Sequence, residues 1–156
     1  MKKGARIQAY VESLNTGSRH HPCYEGYFVC FNEQKYYEAH DVLEHLWLVE
    51  HGPANQFFKG LIQLAGAFVH LQKQYLRPEH STDGRRLHPA WRLFKLAQTN
   101  LEPFFPTFLD LDIRSVLDLC SKNMLAIEGA EFKRNPWSPC AAPMLGLNPG
   151  GTPKDS

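Results

Sequence analysis

Between Gly52-Pro53 and Arg77-Pro78, the residues Phe57, Phe58, Leu61, Leu64, Ala65, Phe68 and Leu71 recur at helical intervals. At about 100° per residue these positions gather on one broad side, so the spacing predicts a long helix from about Ala54 to Tyr75 with one face buried. Such a helix needs apolar partners along most of its length. No stretch of useful length alternates apolar and polar residues with a strand's period of two, so the partners must be helices. The expected fold class is all-α, a compact helical bundle.

The partners are readable from their punctuation. Residues 5–14 have the pattern of a short amphipathic helix closed by Asn15-Thr16-Gly17. Pro22 is placed to open a helix running to about Phe31, because a proline at the first helical position gives up no hydrogen bond. A turn at Asn32-Glu33-Gln34 leads to a helix from about Lys35 to Val49, which Gly52-Pro53 cannot continue. After the long central helix, residues 77–86 read as a polar loop punctuated by Pro78 and Gly84. A helix from about Leu87 to Asn100, a break at Pro103 and Pro106, and a last helix from about Asp112 to Glu128 complete five to six helices. Residues 133–156 hold five prolines and three glycines, too many breaks for helix and too little periodicity to pack. The expected organisation is an N-terminal extension over 1–21, a bundle domain over 22–132 and an irregular tail over 133–156, a size compatible with one core.

Several function classes are disfavoured by composition. The formal net charge of +1, with acids and bases interleaved, carries no nucleic-acid footprint. No run approaches about 18 uninterrupted apolar residues, so no membrane span is expected. The first residues have the charge of a signal peptide without its apolar stretch. Cys23, Cys30, Cys120 and Cys140 contain no CxxC pair and read as reduced packing residues, which points to the cytoplasm.

The densest chemistry lies in Tyr37-Glu38-Ala39-His40-Asp41-Val42-Leu43-Glu44-His45-Leu46-Trp47. On a helix His40 and Glu44 lie one turn apart beside apolar positions, and a carboxylate in such surroundings demands a proton, a cation or a hydrogen-bond donor. Glu38, Asp41 and His45 fall in a narrow wedge expected to face water. Trp47 reads as a core anchor. On the central helix Gln63 and His70 are seven residues apart and share a face with Lys59, Lys73 and Gln74, so periodicity alone would place the whole stripe in water, against the competing reading of a buried hydrogen-bond network. His40, Glu44 and His70 together offer nitrogen and oxygen donors to a divalent metal. The spacing fits neither the HExxH nor the HxxEH zinc-protease pattern, nor the carboxylate set of a di-iron bundle. No nucleophile has a recognisable activating context, and no GxGxxG or GxxxxGK loop is present.

Phe31-Asn32, the run from Tyr36 to Glu44, Trp47, Gly52-Pro53, Phe58, Gly60-Leu61-Ile62-Gln63-Leu64-Ala65 and His70 together resemble the mainly bacterial helical family catalogued as domain of unknown function 309. The resemblance spans about residues 22–102. It implies an all-α bundle in which Glu38, His40, Asp41, Glu44, Trp47, Gln63 and His70, from two successive helices, face one another. No activity comes with it. The chain departs from the family pattern at Gln34, where the turn usually has Gly, and between Tyr75 and Leu93, where a short basic link is replaced by a longer polar loop.

Three readings follow. The first is a polar pocket between the helices over 35–49 and 54–75, binding a divalent metal and open to hydrolytic chemistry. The second is a non-catalytic interaction or scaffold module in which the same residues are a structural hydrogen-bond network. The third is a homo-oligomer that uses Phe104, Phe105 and Phe108 as its contact, against a simpler role for these rings in capping the core.

Overall fold

The computed structural model describes residues 20–148. The helix expected over 5–14 and the last residues of the tail lie outside them. The described residues form an all-α bundle of five helices: α1 (Pro22–Asn32), α2 (Tyr36–Trp47), α3 (Ala54–Leu76), α4 (Leu87–Leu101) and α5 (Ile113–Gly129). Each boundary falls within two residues of the sequence expectation.

The central position of α3 follows from its apolar face. Phe57, Phe58, Leu61, Leu64, Ala65, Phe68 and Leu71 are all buried, and α1, α2 and α4 contribute the surrounding rings and aliphatic groups. The Phe68 ring lies 5.4 Å from that of Phe31 in α1, 5.3 Å from Tyr36 in α2 and 5.3 Å from Phe94 in α4. Tyr27 of α1 donates its hydroxyl proton to the Leu61 carbonyl of α3 at 2.6 Å, which satisfies a phenol buried without water. Close approach of α4 is permitted at Gly60, where an added Cβ would stand 2.7 Å from Cγ of the fully buried Leu101.

The turn between α1 and α2 is a Schellman closure: the Lys35 amide donates to the Cys30 carbonyl and the Gln34 amide to the Phe31 carbonyl. Gln34 occupies its left-handed position, with φ of 62°. A side chain is strained there, which explains in physical terms the glycine expected at this place. Gln34→Gly is expected to raise the unfolding free energy by about 1 kcal/mol, because the only side-chain bond lost is an exposed one to the Pro139 carbonyl. Urea denaturation should show a higher midpoint with an unchanged slope; a lower midpoint would show that the side-chain bond outweighs the strain.

Two features depart from the sequence reading. Thr107–Phe108 and Leu111–Asp112 form a two-residue antiparallel hairpin between α4 and α5, too short to generate a detectable period. From Lys133 to Asn148 the chain is irregular apart from a single 3-10 turn at Pro139–Ala141, yet it packs. Trp137 is buried, its ring lies against Tyr36 and Tyr75, and its Nε1 donates to the Tyr36 hydroxyl at 3.0 Å. Asn135 donates to the Leu71 carbonyl, and Asn32 holds the backbone of Leu145 by a paired donor and acceptor at 2.7 and 2.8 Å. The segment needs no periodicity because single anchors fasten it at separate points.

Candidate functional site

The polar residues of α2 occupy three different environments. Tyr36, Ala39, Val42, Leu43 and Leu46 face the core, which leaves Glu38 and His45 exposed on the opposite side. Asp41, expected in the solvated wedge, is instead buried, with 8% of its surface exposed. On the wheel Asp41 lies about 100° from Val42, on the polar side with Glu38 and His45, so its burial does not follow from the packed face of α2. His40 is about one-third exposed, lies against the Tyr37 ring, and its Nδ1 is 3.2 Å from Oδ1 of Asp41. Glu44 is half-buried one turn further on.

Trp47 packs against the core from a partly buried position, as an anchor does. Its Nε1 is enclosed and has no hydrogen-bond acceptor among the described residues. The adjoining end of α2 is closed by Asn55, whose side-chain amide donates to the carbonyls of Trp47 and Glu50. His21, at the head of α1, has its pKa lowered, first by burial and then by the charge of His45 on α2.

The two candidates on α3 are engaged on its other flank. Gln63 accepts from the Asn100 amide of α4 at 2.7 Å. His70 is 3.1 Å, through Nδ1, from a guanidinium nitrogen of Arg86, the residue that precedes α4. Arginine only donates, so Nδ1 must be the acceptor and the proton of the neutral imidazole is on Nε2. The His70 pKa is drawn down to about 4, chiefly by burial and then by the charges of Arg86, Lys73 and Arg92. Arg86 is itself fixed by Asp83, which pairs with it through both Nε and a terminal nitrogen and also with Arg77 at 3.0 Å. The Arg86 amide donates to Gln74 of α3 at 2.7 Å.

His40, Gln63 and His70 therefore bond to three different partners: a neighbouring aspartate, the far part of α4 and the loop before α4. Among the described residues, no three His, Cys, Asp or Glu side chains come together as a group able to hold a metal ion. The partners Asp83, Arg86 and Asn100 were not singled out from sequence, because a charged loop and one helical asparagine carry no pattern of their own. Asn32 and Tyr36 did stand in the motif, and their work is to hold the tail.

The aromatic group after Pro103 divides in the same way. Phe104 and Phe108 pack on Phe57 at 5.4 and 4.8 Å and close the end of the core. Phe105 is exposed, with the Arg114 guanidinium over its ring. No helix among the described residues is long and apolar enough to cross a membrane.

Comparison with known proteins places one segment. A family model described as Domain of unknown function (DUF309) matches residues 24–79. No curated protein and no solved structure matches the chain. The matched span contains every candidate from Glu38 to His70 and ends before Asp83, Arg86, Asn100 and Trp137, which complete their environment. The stretch that is similar to the DUF309 family thus runs from the buried Tyr24 of α1 to the loop after α3.

Proposed function

We propose that the chain is a non-catalytic helical interaction module in which the motif residues of α3 form a structural hydrogen-bond network. The observation that carries this reading is the direction in which Gln63 and His70 bond: both reach α4 or the loop leading into it. These bonds set the register of α4 on α3. A polar pair between helices specifies position in a way that apolar packing does not, since a one-turn slip would leave each amide and the imidazole without its partner.

The metal-binding reading draws less support. A divalent cation on His70 would have to displace the Arg86 donor from Nδ1 or take up Nε2 beside the positive charges of Arg86, Lys73 and Arg92. Either arrangement adds like-charge repulsion to the cost of stripping the ion. A cytoplasmic location belongs to the same proposal. It is supported by cysteines that form no disulfide and by burial that raises the thiol pKa of Cys23 and pushes that of Cys120 up to about 12, which keeps both as inert packing groups.

Gln63→Ala and His70→Ala are each expected to lower the unfolding free energy by about 1 kcal/mol, the net worth of a part-buried hydrogen bond. The melting temperature of protein purified without an affinity tag should be insensitive to added zinc, manganese or magnesium ions. Variants of unchanged stability that abolish a metal-dependent rise in melting temperature would overturn the network reading and restore the metal site.

A further inference from the structure

Charge is unevenly distributed along this nearly neutral chain. Residues 70–92 hold five cations, Lys73, Arg77, Arg85, Arg86 and Arg92, against two acids, Glu79 and Asp83, a surplus of three in a chain of formal charge +1. One carboxylate, Asp83, serves both Arg77 and Arg86. Lys73, Arg85 and Arg92 enter no ion pair among the described residues. The fold therefore collects positive charge at one corner of the α3–α4 pair and neutralises only part of it.

The corner is held in shape by its own loop. His80 accepts through Nδ1 from the amides of Thr82 and Asp83, the Gly84 amide donates to the His80 carbonyl, and a Cβ at Gly84 would stand 2.3 Å from the Pro78 carbonyl oxygen. Asp83 is thereby positioned to fix the Arg86 guanidinium, and Arg86 in turn fixes His70 with Nε2 protonated. That Nε2–H has no hydrogen-bonded acceptor among the described residues and is not sealed in the interior. Lys73 stands one turn from His70 on α3. Arg92 on α4 is near enough that its charge acts on the same imidazole.

We propose that this corner binds a phosphate group, with Lys73 and Arg92 supplying charge, the His70 Nε2–H a neutral donor, and Arg86 a guanidinium held ready by Asp83. The chemistry suits a compact dianion better than a polymer. A phosphate carries close to two charges and several strong acceptor oxygens, which a few convergent donors can saturate. A nucleic-acid strand would need basic groups spread along a track, and the excess here is confined to one corner. The same chemistry is offered by free inorganic phosphate and by a phosphate monoester of a small molecule.

The test is a titration of the full chain with inorganic phosphate and, separately, with glycerol phosphate, at constant ionic strength so that screening is matched. Melting temperature and the imidazole NMR signals of His70 are the readouts. The expected result is a saturable rise in melting temperature with a shift of the His70 signals for at least one probe. In the Lys73→Ala/Arg92→Ala variant the affinity should be about tenfold weaker or worse, and because both side chains are exposed the variant should fold. Tighter binding of glycerol phosphate points to a phosphorylated small molecule, and tighter binding of inorganic phosphate points to the free anion; both support the site. The proposal is overturned if neither probe binds, if the doubly substituted protein responds like the parent, or if the His70 signals stay fixed while only an oligonucleotide binds.

Discussion

Trp137→Ala is expected to lower the unfolding free energy by about 3–5 kcal/mol, the loss typical of truncating a buried aromatic. This is a large effect for a residue in a segment without secondary structure. The indole is 4% exposed, contacts the rings of Tyr36 and Tyr75, and donates to the Tyr36 hydroxyl. Removing it opens a cavity against α2 and leaves that hydroxyl without its donor. The neighbouring anchors, Asn135 on the Leu71 carbonyl and Asn32 on Leu145, would then hold a strap with no apolar grip beneath it. Trp137→Phe separates the two contributions, since it keeps most of the packing and should lose only about 1 kcal/mol for the hydrogen bond. Urea unfolding followed by intrinsic fluorescence and by circular dichroism checks both. A loss below about 1 kcal/mol for the alanine variant would show that the strap is not part of the cooperative unit.

Phe68→Ala is expected to cost a similar amount, about 3–5 kcal/mol, for a different reason. Phe68 is fully buried on α3 and its ring meets one aromatic ring from each of α1, α2 and α4. Edge-to-face contact with Phe31 and Phe94 adds to burial, because aromatic pairs in that geometry exceed their area alone. The surroundings are rings set in place by three helices, so collapse into the vacancy is restricted and the cavity term stays high. Thermal or denaturant unfolding should show one transition at reduced stability. A loss as small as that of an exposed substitution would mean that the four helices do not share one core.

The helices were legible because each buries a continuous face, and Phe57 to Leu71 repeats that signal over several turns. The hairpin at Thr107–Asp112 was not, since strands of two residues complete no period. Trp137 escaped for a related reason: one anchor among prolines has no spacing to recognise, and its partner Tyr36 lies far back in the chain. Glu38 and His45 are exposed, as their position on the wheel implies, whereas Asp41, on the same polar side, is buried. A wheel ranks directions around one helix and cannot say how far a neighbour extends its cover.

The two candidates on α3 show where sequence reasoning stops. Gln63 and His70 share one face, and periodicity does not say which neighbouring helix that face meets. Their partners, Asn100 and Arg86, lie 37 and 16 residues away along the chain. The family motif ends before either partner, so the motif alone shows acceptors without donors. Completing the network required the packing of α4.

The central claim, that these motif residues fasten helices together, is tested most directly by a double-mutant cycle at Gln63 and Asn100. Unfolding free energies of the parent, Gln63→Ala, Asn100→Ala and the double variant isolate the coupling between the two amides. A coupling of about 0.5–1.5 kcal/mol is expected, with the double variant less destabilised than the sum of the single ones. Additive losses with no coupling would contradict the network, and would leave Gln63 available for a ligand instead.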